Sequence, residues 1–140
     1  MKFSTKGRYA LRIMIDLAQN NNGEYIHLKD ISRRQGITIK YMEQIMPYLT
    51  RAGYVRSSRG NNGGYRLTRD PGEYTVGEIL RSAEGNLSPV SCLEDSPISC
   101  PRADECMSLA FWKGLDEVIN EYADQVILKD LAFPEKKNAG

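Results

Sequence analysis

Residues 28–67 read LKDISRRQGITIKYMEQIMPYLTRAGYVRSSRGNNGGYRL, and this stretch decides the fold. Its opening suits a short helix, Leu28–Gln35, which Gly36 ends from a C-terminal position that favours glycine. Thr38 caps a second helix over about 39–52. Tyr41, Ile45, Met46 and Leu49 recur there on one face. Pro47 predicts a bend or weak point, because it lacks an N–H and crowds the preceding turn. Gly53 closes the helix. Two short strands follow, Tyr54–Ser57 and Gly64–Leu67, joined by a Gly- and Asn-rich loop that carries Arg59. Helix, glycine turn, helix and hairpin in that order are the layout of a winged helix–turn–helix.

Working outward, residues 4–20 read as a helix with Ser4 as N-cap. Ala10, Ile13, Met14, Leu17 and Ala18 follow with helical spacing, while Arg12, Asp16 and Gln19 fall on other faces. Tyr25-Ile26-His27 is a short extended piece. Downstream, Asp70-Pro71-Gly72 is a turn. Thr75 and Glu78 form a capping box that opens a helix to about residue 84. Residues 85–104 hold three prolines and two cysteines, and loops of about 20 residues in small domains are usually functional or disordered. A long amphipathic helix then runs from about Glu105 to Gln125, with Phe111, Leu115, Val118, Ile119, Tyr122 and Val126 as its stripe. Such a helix packs back on its own domain or pairs with a copy of itself, and pairing is the favoured expectation. The expected fold is mainly α with a small β-hairpin wing. A DNA-binding domain occupies 1–84, a cysteine-bearing loop 85–104, a dimerisation helix 105–132 and a frayed tail 133–140.

The 140 residues suit one ordinary domain with an appended helix. The apolar share of 41% and charged share of 26% are those of a globular chain, which excludes wholesale disorder. No apolar run reaches the roughly 18 residues of a membrane span, and the N-terminus lacks a signal-peptide core, so a cytoplasmic protein is expected. The net charge of +1 hides an asymmetry. Residues 1–84 carry 14 Lys/Arg against 8 Asp/Glu, whereas 85–140 carry 5 against 10. A basic front can face a polyanion; scattered surface charge is the plainer account. A single histidine, His27, gives little acid–base chemistry, and no HExxH-type spacing occurs, so an enzyme is not expected.

The second helix of the pair carries polar groups where a recognition helix needs them. Thr38, Lys40, Tyr41, Glu43 and Gln44 crowd its first two turns. Lys40 can neutralise a phosphate, and Tyr41 either bonds a phosphate oxygen or packs inward. Gln44 suits adenine and Glu43 the amino group of cytosine, with an ordinary solvated residue as the alternative for Glu43. Arg59, beside Gly60, can reach the backbone or minor groove, or is a solvated turn arginine. Ser4, Thr5, Lys6 and Arg8 lie at a helix N-terminus, which binds phosphate or is simply capped.

The cysteines form the pattern C-x7-C-x5-C at Cys92, Cys100 and Cys106. Three thiols so close point to a metal site, and thiolates suit iron–sulfur clusters or zinc. Zinc normally takes four protein ligands, usually with a CxxC pair, and no CxxC pair is present, so zinc stands second to a cluster. A thiol redox switch and incidental cysteines are the remaining readings.

Several stretches resemble the IscR-like family of bacterial winged-helix regulators. They are residues 1–12, Asp30–Ile37, Tyr41–Ile45 with Leu49, and Ala52–Val55. The wing Ser58–Leu67, then Thr75–Ile79 and Leu128–Leu131, extend the resemblance to about residue 132. It implies a homodimer whose long helix crosses into the partner, binding operator DNA as a repressor or activator. It implies that Glu43 and Gln44 read bases, that Arg59 and Gly60 enter the minor groove, and that the three cysteines hold a cluster, most simply 2Fe–2S. The first cysteine gap is two residues longer than in the best-known members. Related cysteine-metabolism repressors lack the triplet and fit less well. The family's fourth ligand is a histidine three residues after the third cysteine, where Leu109 stands, or an aspartate of the partner's first helix, where Arg8 stands. Asp104 and Glu105 are the first alternatives, ahead of an exogenous thiol, a water, a cross-subunit group and His27. Such a dimer would set two recognition helices about 34 Å apart on a pseudo-palindromic operator.

Overall fold

The computed structural model describes residues 3–60, 63–94 and 105–135. Its elements are α1 (Thr5–Gln19), α2 (Leu28–Gln35), α3 (Ile39–Arg51), β1 (Val55–Ser58), β2 (Gly64–Leu67), α4 (Val76–Glu84), α5 (Leu109–Gln125) and α6 (Leu128–Ala132). No helix among the described residues is long and apolar enough to cross a membrane.

α1 is the centre of the core. Ala10, Ile13, Met14 and Leu17 are fully buried against α2, α3, α4 and α6. Gly36 ends α2 at φ +67, and its N–H donates to the Ser32 carbonyl at 2.8 Å. Thr38 caps α3 by accepting from the Tyr41 N–H at 3.1 Å. The buried face of α3 is Met42, Ile45, Met46 and Leu49. Tyr41, expected in that set, is only half-buried. Its ring meets Tyr9 edge-on at 5.4 Å, at the seam with α1. α3 runs through Pro47 as one helix. Pro47 and Glu43, whose carbonyl loses its helical partner, both lie on the exposed face, where water can take the bond.

The hairpin pairs Val55 with Leu67 and Ser58 with Gly64. β1 starts one residue later than expected because the Tyr54 N–H is bonded to the Leu49 carbonyl and still belongs to the end of α3. The extended piece at residues 25–27 joins the wing from outside: Ile26 and Tyr65 exchange two backbone hydrogen bonds of 2.8 Å. Gly64 permits this approach. Its φ is +152, and a Cβ there would stand 2.2 Å from the Ile26 carbonyl oxygen. The base of the wing is tied by buried Tyr74. Its hydroxyl donates to the Tyr54 carbonyl at 2.8 Å and accepts from the Thr68 and Arg69 N–H groups at 3.0 Å. The Asp70-Pro71-Gly72 turn is a single 3-10 turn over Pro71–Glu73. The Thr75–Glu78 capping box is formed as expected.

The C-terminal region departs from the single arm expected over 105–132. α5 begins at Leu109, so Cys106 precedes it, and it stops at Gln125. The backbone then turns extended because Val76 N–H donates to the Val126 carbonyl and Leu128 N–H to the Tyr74 carbonyl, at 2.9 and 3.0 Å. α6 folds back onto α1, burying Leu128 and Ala132, while Gln19 donates to the Ala132 carbonyl. The C-terminal half of α5 packs on α4. Arg81 donates to Asp124 at 2.8 and 3.0 Å and to Asn120 at 2.7 Å. Residues 95–104 of the cysteine-bearing loop and residues 136–140 of the tail lie outside the described residues.

Candidate nucleic-acid interface

Two devices fix α3 on the surface. The first is the αL turn at Gly36, which sends the chain from α2 into α3. The second is Asp16, on α1, which is 1% exposed. Its carboxylate accepts from Arg34 at 2.8 and 3.0 Å and from Gln35 at 3.1 Å. The hydrogen bond to Asp16 holds the Arg34 guanidinium above its ordinary pKa. Hydropathy placed Asp16 on a polar face of α1; the ion pair explains its burial. Arg12 reinforces the same joint through the Gln35 backbone carbonyl.

On this frame Thr38, Lys40, Glu43 and Gln44 are exposed on one side of α3. Thr38 is engaged as a cap, and Tyr41 is turned toward Tyr9. On the wing, Arg59 and Gly60 are both exposed. Gly60 has φ +102, and its carbonyl accepts from the Gly63 N–H at 2.9 Å, closing the loop. Asn61 and Asn62 lie outside the described residues.

The start of α1 is already filled. Besides capping Gly7, Ser4 donates from its backbone and hydroxyl to the Glu84 carboxylate, which also accepts from the Gly7 N–H at 3.1 Å. Glu84, at the end of α4, thus takes the anion position that the sequence offered to phosphate, and Gly7 lacks the Cβ that would collide with it. Arg8 is exposed, and its guanidinium donates to the Thr5 hydroxyl. Lys6 leans to α3, its ammonium donating to the Tyr48 hydroxyl at 3.1 Å. That bond pulls the Tyr48 phenol below its usual pKa and holds Lys6 above its own. His27 is the exposed N-cap of α2 and makes no side-chain cap bond. Glu84, Tyr48 and the Asp16–Arg34 pair were missed by the sequence reading; each works through a long-range contact that no local pattern signals.

Cys92 lies half-buried in a short 3-10 turn and Cys106 half-buried ahead of α5; among the described residues neither forms a disulfide. Hydrogen bonding with Ser108, 3.4 Å away, pulls the Cys106 thiol below its usual pKa. Cys100 and Asp104 lie outside the described residues, and Glu105 is exposed. Among the described residues no three His, Cys, Asp or Glu side chains gather into a metal site. The donor chemistry, two unpaired thiols on either side of the loop, fits a cluster bound through cysteines.

The family model for Rrf2, described as an iron-dependent transcriptional regulator, matches residues 3–134. The HTH-type transcriptional regulator IscR of Cronobacter sakazakii is 34% identical over 94% of this chain and 80% of its own length. The structure of CymR, the global cysteine regulator of B. subtilis, is 39% identical, covers 94% of this chain and 96% of that one, and has a TM-score of 0.75. IscR of T. potens is 35% identical, covers 94% and 85%, and has a TM-score of 0.74. These relatives are regulators of transcription, not enzymes. The chain belongs to the Rrf2 family, as an IscR-like winged-helix transcriptional regulator.

Proposed function

We propose that the protein is a cytoplasmic homodimer that binds operator DNA, with its affinity set by an iron–sulfur cluster on Cys92, Cys100 and Cys106. The observation that carries this reading is the exposed row Lys40, Glu43 and Gln44 on α3, together with the exposed wing residue Arg59. Gln44 presents both a donor and an acceptor for adenine, and Glu43 an acceptor for cytosine. Lys40 and Arg59 neutralise phosphate or enter the minor groove, with Gly60 letting the wing approach closely. Lys6, Arg8, Thr38 and Tyr41 border the row and steady the backbone contacts, while Ser4 stays bound to Glu84. α5 supplies the dimer contact through Phe111, Val118 and Tyr122, each more than 60% exposed, at helical spacings of four and seven.

In this reading residues 1–84 are the DNA-binding head and 105–132 the dimerisation region, with α6 returned to the head. When bound, a 2Fe–2S cluster would supply a group sensitive to oxidation and to iron supply. Cys92 and Cys106 flank the loop that joins α4 to α5, so ligation through them ties the head to the dimer helix. A coupling of about 1–3 kcal/mol between cluster and DNA suffices for a switch. With Leu109 and Arg8 at the family's fourth-ligand positions, that ligand is a different group.

The test is anaerobic purification of wild type, Cys92→Ala and Leu109→His, with iron and sulfide counted and DNA affinity measured with and without cluster. About two irons per wild-type chain, lost in Cys92→Ala with a change in operator affinity, is the expected result. Unchanged affinity for every operator would sink the sensing half. A second reading is a regulator without a cluster, controlled by thiol oxidation or a protein partner; the likeness to CymR favours it, and wild type without iron would select it.

A further inference from the structure

The Lys6–Tyr48 contact joins α1 to the far half of α3, and the base-reading row does not use it. Tyr48 lies one turn beyond Gln44 and Arg51 two turns beyond, on the same side of the helix. Lys6 Nζ is 3.1 Å from the Tyr48 hydroxyl and 4.5 Å from the ring centroid. The Arg51 guanidinium stands 5.5 Å from the same centroid. One half-buried phenol therefore holds two cations. Lys6 donates into the phenol oxygen, which leaves the Tyr48 O–H free to donate outward, and among the described residues it bonds to no acceptor. A carbonyl-rich helix C-terminus ordinarily repels anions. Here Arg51 and Lys6 reverse that local field, and Glu84, whose charge acts on Lys6, is engaged by Ser4 and Gly7.

A recognition helix meets base edges with its N-terminal residues, so its C-terminal half rises toward the groove wall. Resting on the reading of α3 as that helix, we infer that Lys6, Tyr48 and Arg51 form a grip for one backbone phosphate at the α1 side of the groove. Tyr48 supplies a directed hydrogen bond, and the two cations supply charge. Tyr48 and Arg51 are then DNA contacts that carry no sequence information.

The experiment uses the full-length protein with a fluorescent duplex bearing an operator selected from random DNA, and a scrambled duplex of equal length. Anisotropy is followed over a KCl series for wild type, Tyr48→Phe, Arg51→Gln and Gln44→Ala. Tyr48→Phe keeps the ring and its packing, and it is expected to weaken both duplexes alike, by about three- to tenfold. Arg51→Gln is expected to reduce the salt slope by about one per chain. Scanning single methylphosphonates along the operator should reveal one phosphate per half-site whose neutralisation weakens wild type more than it weakens Tyr48→Phe, in which both cations remain. Wild-type affinity in Tyr48→Phe, a loss confined to the selected operator, or no such phosphate would each overturn the inference. Gln44→Ala separates the two levels. If it loses the operator while Tyr48→Phe loses nothing, only the grip fails. If both are silent, α3 is not the recognition helix.

Discussion

The winged head and the α5 arm use the same helical spacing of apolar residues with opposite results. In the head, Ile13, Met14, Leu17, Met42, Ile45 and Leu49 are fully buried within one chain. On α5, Phe111, Val118 and Tyr122 stay more than 60% exposed, although Ala123, on the neighbouring face, is buried. The head therefore closes its core within one chain, with Leu128 and Ala132 of α6 completing it. The arm is split: its C-terminal half is clasped to α4 and its remaining stripe has no cover among the described residues. An isolated exposed Leu or Val needs no explanation, but a row of large apolar residues on one helix marks a contact surface.

Val118→Asp tests the contrast most sharply, because it places a charge in the middle of the uncovered stripe. The expected outcome in sedimentation velocity is a monomer at concentrations where wild type is a dimer, with the melting of the head unchanged. A wild-type protein that sediments as a monomer would break the comparison, since the stripe would then have no partner. The opposite arm of the test lies in the head. Arg34→Ala leaves the buried Asp16 carboxylate without its guanidinium, and breaking such a pair costs about 3–5 kcal/mol. Urea unfolding checks this, and a cost below about 1 kcal/mol would mean that the α1–α2 joint holds by packing alone.

Gly64→Ala ranks next. The substitution forces a side chain into a positive-φ position, which costs about 1–3 kcal/mol, and drives a methyl against the Ile26 carbonyl. The expected readout is fast hydrogen exchange at the Ile26 and Tyr65 amides, with α1 protection retained. Weaker DNA binding should follow through a wing that has lost its outer strand. Protection at Ile26 equal to wild type would show that the wing does not depend on this close approach.

Much of this was legible in the sequence because the signals are local. The αL glycine at 36, the Thr38 cap, the Thr75–Glu78 capping box and the Gly-rich wing each declare themselves within a few residues. The exposed polar side of α3 was legible for the same reason. What stayed hidden is set by distant partners. Asp16 reads as a surface residue until Arg34 is folded onto it, and Ser4 as a phosphate site until Glu84 arrives from 80 residues away. The end of α5 at Gln125 was expected, but the return of α6 onto α1 was not; backbone bonds to Tyr74 and Val76 set it. The face of α5 that meets α4 and the face left uncovered share one amphipathic pattern, so spacing alone could not divide them.

The smallest expected effect concerns the clasp between head and arm. Arg81 holds Asp124 with two hydrogen bonds, and a side chain at Gly77 would collide with that carboxylate. The hydrogen bonds from Arg81 hold the Asp124 carboxyl below its ordinary pKa. A folded-state pKa below the unfolded one stabilises the ionised, folded form. The contribution is therefore complete above about pH 5 and disappears as the pH falls through the lowered folded-state value. The two side chains are 32% and 47% exposed, so solvent and salt screen the pair and its worth stays below about 1 kcal/mol. Asp124→Asn should cost that much at pH 7, with urea midpoints of variant and wild type converging in acid. In the proposed dimer, tilting of α5 against the head matters more than the energy, because the spacing of the two heads on DNA would depend on it. A larger drop in affinity for the operator than for a scrambled duplex in Asp124→Asn is the expected sign of that geometry. Equal losses on both duplexes would show that the clasp adds only stability.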